Sequence, residues 1–126
     1  MSFNSAQQFA YDLMCSGKNV FLSGFAGTGK SYVLKRFIDE HKDATVVCAP
    51  TGIAAHHVGG ATLHRTFNIP SSPCPEPGNK HCKLLDGART VVIDEVSMVR
   101  RDTFDYVVSV IRNTEILLNR HIILTL

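Results

Sequence analysis

The chain carries almost no excess of charge: 13 lysines and arginines stand against 11 aspartates and glutamates, a net charge of +2 with histidine neutral. A basic tail that holds nucleic acid by bulk electrostatics is excluded, so any such contact must be local. Long apolar runs are also missing, and none approaches the roughly 20 residues of a membrane span. The start, Met1-Ser2-Phe3-Asn4, has neither the basic and apolar regions of a secretion signal nor the arginine-rich character of a transit peptide. An intracellular protein, cytoplasmic or nuclear, is the expectation. Cysteine is sparse, and Cys15, Cys48, Cys74 and Cys82 form no Cys-x-x-Cys pair; they read as buried or incidental thiols in a reducing compartment. What is present, 126 residues with 44% hydrophobic and 19% charged, suffices for one globular domain with a core.

The most informative stretch is Gly24-Phe25-Ala26-Gly27-Thr28-Gly29-Lys30-Ser31. It fits the phosphate-loop pattern Gly-x-x-x-x-Gly-Lys-Ser/Thr, between an apolar Val20-Phe21-Leu22 and a helical pattern that begins near Lys30. Glycine spacing lets successive amide N–H groups turn inward on phosphate oxygens, and the loop feeds a helix N-terminus that favours anions. Gly24, Ala26, Gly27, Thr28, Gly29, Lys30 and Ser31 are therefore the nucleotide-binding candidates. Lys30 would place its ammonium on the β- and γ-phosphates, and the Ser31 hydroxyl would bind Mg²⁺. A plain glycine-rich turn has no need of Lys-Ser after its last glycine.

A second motif turns binding into hydrolysis. Thr90-Val91-Val92-Ile93-Asp94-Glu95 is a β-branched apolar run ending in two carboxylates, the pattern of a buried parallel strand delivering acids to its carboxyl edge. Asp94 would hold the Mg²⁺ shared with Ser31, and Glu95 would orient and deprotonate the attacking water. ATP and Mg²⁺ are the expected cofactors.

Periodicity supplies the rest of the frame. A helix is expected over residues 5–16 with Phe9, Leu13 and Met14 on its apolar face, then a strand over 19–23. A helix follows at 30–41 with Val33, Leu34, Phe37 and Ile38 inward, a strand at 45–49, and a short helix opened by Pro50-Thr51-Gly52 and halted by Gly59-Gly60. A helix at 101–112 with Phe104, Val107, Val108 and Ile111 on one stripe precedes a fourth strand at 122–126. Alternating strands and helices imply a three-layer α/β domain with a parallel sheet. Residues 68–87 hold Pro70, Pro73, Pro75, Pro77 and Gly78, and read as an inserted loop that is neither helix nor central strand.

In order, the phosphate loop, Ala49-Pro50-Thr51-Gly52-Ile53-Ala54-Ala55, Gly60-Ala61-Thr62-Leu63-His64 and Ile93-Asp94-Glu95-Val96-Ser97-Met98 resemble the Pif and RecD-like superfamily 1 DNA helicases. The resemblance covers about residues 7–98. It implies a RecA-like domain that works as one of a pair with ATP between them, acting on single-stranded or fork DNA. By the same resemblance Gln7, seventeen residues before Gly24, would recognise adenine, with Gln8 as the alternative and an ordinary exposed helix position as the plain reading of either. Thr51 and Gly52 would contact the DNA strand, although Thr51 is also a natural helix N-cap. Thr62, His64 and Phe67 would lie along the same path, the rings suited to base stacking, against the ordinary case of Phe67 as core. The 68–87 loop takes the place of a wedge or pin. A zinc site from His56, His57, His64, Cys74, His81 and Cys82 fits no common template.

Where the family goes on to Gly-Asp-x-x-Gln-Leu and a second RecA-like domain, this chain ends at Leu126. The expectation is an incomplete first domain, truncated after its fourth strand, that alone binds ATP weakly, unwinds nothing and self-associates through an uncovered face. Competing readings are a phosphate-loop nucleotide switch or small-molecule kinase, with the lack of an Asn/Thr-Lys-x-Asp guanine signature in this chain standing against a GTPase, and a non-catalytic nucleic-acid-binding module.

Overall fold

The computed structural model describes residues 2–24, 29–70, 82–113 and 120–126. In chain order the elements are α1 (Ser5–Cys15), β1 (Val20–Leu22), α2 (Lys30–Glu40), β2 (Thr45–Ala49), α3 (Gly52–Val58), β3 (Ala61–Thr62), α4 (Leu63–Phe67), β4 (Thr90–Ile93), α5 (Arg101–Asn113) and β5 (His121–Thr125), with single 3-10 turns at Lys42–Ala44, Lys83–Leu85 and Val96–Met98. The strands form one sheet in the order β1-β5-β4-β2-β3, and each neighbouring pair is parallel. The sheet thus has five strands among the described residues, one more than expected. The addition, β3, pairs only Ala61 and Thr62 with Cys48 and Ala49, too short to leave a period in the sequence.

Local chemistry explains where the elements begin and end. Asn4 opens α1 through a reciprocal capping box: its Oδ1 accepts from the Gln7 N–H at 2.8 Å, and Gln7 Oε1 accepts from the Asn4 N–H at 2.9 Å. Gly59, at φ 73°, closes α3 in the left-handed conformation. Helices α1 and α2 cover one face of the sheet, with Met14, Val33, Leu34 and Phe37 packed on Val92 and Ile123. Helices α4 and α5 cover the other, with Leu63, Phe67, Tyr106, Val107, Val110 and Ile111 on Cys48, Val91 and Ile93. Strand β4 is therefore buried on both faces along its whole length, which is why it reads as an unbroken apolar run. Each of its buried aliphatic side chains contributes about 1.5–3 kcal/mol.

Three expectations change. On α1, Phe9 is 67% exposed and Met14 fully buried, with Ala10 and Tyr11 partly buried beside it; the inward face is set by contact with α2, and Phe9 lies off it. On α5 the buried stripe is Thr103, Tyr106, Val107, Val110 and Ile111, while Phe104 and Val108 are only half-buried; a tyrosine and a threonine take core positions that an apolar tally passes over. The 68–87 insertion is also anchored at both ends: Ile69, Cys82 and Leu85 belong to the core, and Lys83–Leu85 forms a helical turn, so the segment is not loop throughout. Residues 71–81, including Cys74 and His81, lie outside the described residues.

At the opposite end of the sheet from the motifs, the buried His121 starts β5. Its Nε2 lies 3.2 Å from the Met14 carbonyl oxygen and 3.0 Å from Thr90 Oγ1. A carbonyl only accepts, so the neutral ring carries its proton on Nε2. Burial holds this imidazole below its ordinary value of 6.5, outweighing the main-chain hydrogen bonds at Met14 and Arg89 that favour the charged ring, and nearby Arg89 and His41 add a smaller repulsion. The folded state thus disfavours the imidazolium. The stability that neutral His121 contributes is complete above about pH 6.5 and is lost as the pH falls below it through the folded value. Urea midpoints measured from about pH 7.5 down to 5.5 should drop more for the wild type than for His121→Gln, and parallel profiles would refute the assignment.

Candidate nucleotide site at the carboxyl edge

Because the strands run in one direction, their carboxyl ends share an edge, and the motif residues are delivered there. Strand β1 leads through Ser23 and Gly24 toward the loop. The chain is described again at Gly29, whose φ of 81° is left-handed, and a Cβ at this position would fall on the Gln7 side-chain amide. The left-handed φ favours glycine, and any larger residue would also have to push the end of the Gln7 side chain aside. Helix α2 starts at the next residue with no side-chain cap, so its first-turn N–H groups remain available to an anion.

Two strands across, β4 ends at Ile93. The Asp94 N–H donates to the Cys48 carbonyl at 2.9 Å, and Glu95 takes φ 52°, ψ 48°. A left-handed conformation at a residue with a Cβ costs about 1–2 kcal/mol, and such conformations collect at functional sites. Strand β5 lies between β1 and β4, so its last residue comes up between loop and acids. There the Thr125 hydroxyl donates to Asp94 Oδ1. Lys30 Nζ donates to the main-chain oxygen of Leu126 at 2.7 Å.

Lys30, Ser31, Asp94, Glu95 and Thr125 line one cleft of about 530 Å³, walled by Lys35 and Asp39 of α2 and by His56 and His57 of α3. Four residues singled out from sequence thus come together. Ser31 is exposed and Asp94 half-buried. A hydroxyl and a carboxylate are hard oxygen donors that suit Mg²⁺, an ion usually held by one or two protein ligands and the substrate's phosphates. Of the two glutamines, Gln7 touches the loop, through Nε2 and the Gly29 carbonyl at 3.5 Å, whereas Gln8 bonds Asp12 on the exposed side of α1. Ala26, Gly27 and Thr28 lie outside the described residues.

The second cluster follows β2 and β3. Thr51 caps α3, its hydroxyl oxygen accepting from the Ala54 N–H at 3.2 Å, and Thr62 caps α4 in the same way from Arg65 at 3.2 Å. The pairing of Ala49 with Thr62 brings these two caps to the same edge, with Gly52 and His64 exposed beside them. Phe67 corrects the expectation. It is 1% exposed and packed in the core beneath α4, so its ring has no face to offer a base. His56 and His57 point to solvent and the cleft, while the Cys82 thiol is buried and donates to the Thr66 carbonyl at 3.6 Å; among the described residues no His, Cys, Asp and Glu group converges as a metal centre.

Sequence reasoning missed Thr125, hidden in an apolar run. The available signal was its position, a hydroxyl at the carboxyl end of the strand between the loop-bearing and acid-bearing strands.

A parallel three-layer sheet with a phosphate-loop signature facing an Asp-Glu strand end is a RecA-like α/β domain of the phosphate-loop class. The model of the PIF1-like helicase family matches residues 2–121, and the chain belongs to that family. Human ATP-dependent DNA helicase PIF1 is 42% identical over 106 residues, spanning 76% of this chain and 16% of the human protein. The Pif1 helicase of Bdellovibrio bacteriovorus is 37% identical over 102 residues, 74% of this chain and 23% of its own length. The crystal structure of Pif1 helicase from Bacteroides in complex with ADP-AlF3 and ssDNA matches with a TM-score of 0.82 at 34% identity, over 99% of this chain and 32% of that one. The chain therefore spans less than a quarter of these two curated relatives.

Placing Phe67 in the core has a direct measure. Phe67→Ala should lower the unfolding free energy by about 3–5 kcal/mol, whereas the exposed His64→Ala should stay within about 0.5 kcal/mol of wild type. Denaturant titration separates the two, and a Phe67→Ala variant of wild-type stability would return that ring to the surface.

Proposed function

We propose that the chain is the first ATP-binding domain of a DNA helicase motor, which in the full-length protein couples ATP hydrolysis to movement along single-stranded DNA and to duplex opening. The observation that carries this reading is the convergence of Lys30, Ser31, Asp94 and Glu95 on one cleft, in a fold whose Bacteroides neighbour was crystallised with ADP-AlF3 and ssDNA. Lys30 and the N–H groups of the loop, with Gly24, Ala26, Gly27, Thr28 and Gly29, receive the phosphates. Gln7 recognises the adenine edge with an amide that both donates and accepts. Ser31 and Asp94 would hold Mg²⁺, which would supply positive charge against the charge that develops on the phosphates. Glu95 orients the attacking water and accepts its proton. Thr51, Gly52, Thr62 and His64 contact the DNA strand.

On this reading a second RecA-like domain, in the remaining length of the parent protein, closes the cleft and supplies an arginine to the γ-phosphate. Such an arginine is worth about 10³–10⁵ in rate in related phosphoryl transfers. Residues 1–126 by themselves then bind ATP weakly and do not unwind DNA. Phe21, 55% exposed on the edge strand β1, and Ile53, 77% exposed on α3, are the apolar surface through which the isolated domain self-associates. Among the described residues no helix is long and apolar enough to cross a membrane, and no membrane partner is invoked.

The test is ATPase activity of the full-length protein with and without single-stranded DNA. Activity should rise with DNA, and Glu95→Gln should lower it by about 10²-fold or more while nucleotide binding persists. Hydrolysis indifferent to DNA would sink the motor reading.

A further inference from the structure

We propose that Thr125 is a positioning residue, holding the Asp94 carboxylate in the orientation in which it takes the metal ion and so setting the Mg²⁺ dependence of nucleotide binding. The inference rests on the reading of Asp94 as a metal ligand and adds to it the group that aims that ligand. Thr125 is fully buried at the end of the strand that separates the loop from the acids. A buried hydroxyl needs a partner, and this one donates to Asp94 Oδ1.

The Asp94 backbone is held on the β2 side, where its N–H donates to the Cys48 carbonyl, and that bond leaves the rotamer of its carboxylate open. The last described ladder pair between β4 and β5 is Ile93 with Leu124, so Asp94 stands one residue beyond it, followed by the left-handed turn at Glu95. Among the described residues Thr125 is the side chain bonded to its carboxylate. The bond occupies one lone pair of Oδ1 and leaves Oδ2 for the cleft. The donor is also neutral. An arginine or lysine in this place would hold the carboxylate equally well but cancel part of the charge that attracts the cation, whereas a hydroxyl fixes the rotamer and leaves the charge intact. Hydrogen bonds of this kind behind a metal ligand typically carry 10–100-fold in metal affinity.

The experiment compares wild type, Thr125→Val, Thr125→Ser and Asp94→Asn in the full-length protein, using a fluorescent ATP analogue titrated with Mg²⁺ and electron paramagnetic resonance of bound Mn²⁺. Thr125→Val keeps the branched shape without the donor. It should need about 10–100-fold more Mg²⁺ for half-maximal effect, with unchanged affinity in the absence of metal and hydrolysis recovered at saturating Mg²⁺. Thr125→Ser, which restores the hydroxyl, should return near wild type. The proposal is overturned if Thr125→Val keeps the wild-type Mg²⁺ dependence while Asp94→Asn raises it, or if Val weakens nucleotide binding equally with and without metal. If Asp94→Asn leaves the Mg²⁺ dependence untouched, the metal-ligand reading itself fails and this inference with it. Should Thr125→Val melt below assay temperature, Thr125→Cys, with its weaker donor, decides by the same criterion: an intermediate Mg²⁺ requirement supports positioning, and a wild-type one refutes it.

Discussion

The carboxyl edge depends on the register of one strand. Ile123 of β5 is paired with Val20 of β1 on one side and with Val92 of β4 on the other, so a single residue sets the height of the loop relative to the acids. A slip of one position would move the strand by about 3.3 Å and turn every side chain to the opposite face. Thr125 would then leave Asp94 and face the α4 and α5 side. Burial opposes the slip: His121, Ile123 and Thr125 are buried on one face, while Ile122 and Leu124 pack against the cluster on the other. Hydrophobic register at the centre of the sheet thus places polar groups at its end.

That arrangement carries local costs. Glu95 is left-handed despite its Cβ, and α2 begins without a side-chain cap, two choices that lower stability and leave groups free for a ligand. They are tolerable because both flank the most deeply buried elements of the chain. Strand β4, with four consecutive buried residues, leads directly into the turn at Asp94-Glu95, and α2 follows its open end with Val33, Leu34 and Phe37 in the core. Strain sits one or two residues from rigid packing, and the carboxylates and the lysine inherit their positions from it.

How much of this could be read in the sequence follows from how local each determinant is. The acid-ended strand, the inward face of α2 and the glycine stop of α3 are encoded within a few adjacent residues, and each appears where the pattern puts it. The two-residue β3 has no period to detect, and its existence depends on a parallel neighbour contributed from elsewhere in the chain. The inward faces of α1 and α5 are chosen by partner elements, so Phe9 faces solvent and Tyr106 the core. Phe67 and His64 share a short helix, and sequence spacing alone does not say which of them the core will claim. Thr125 is the clearest case. Its role depends on pairing across 31 residues to Asp94, and within its own run it is only a polar residue at the end of an apolar strand.

The small net charge constrains how such an edge can hold anions at all. With +2 over the whole chain, attraction must come from oriented dipoles and single donors. The open first turn of α2 serves that purpose directly. At α3 and α4 the cap positions look already spent, because Thr51 and Thr62 accept N–H bonds from their own helices. A hydroxyl, however, accepts and donates at once. Capping uses a lone pair of each oxygen and leaves the O–H proton free to reach a phosphate oxygen, so the structural role and the proposed strand contact coexist in one atom. Contacts built in this way neutralise few phosphates. On the proposed reading this patch therefore releases few counterions, and its share of DNA affinity falls only shallowly with salt; a steep salt dependence in the full-length protein would have to originate in positive charge outside this patch.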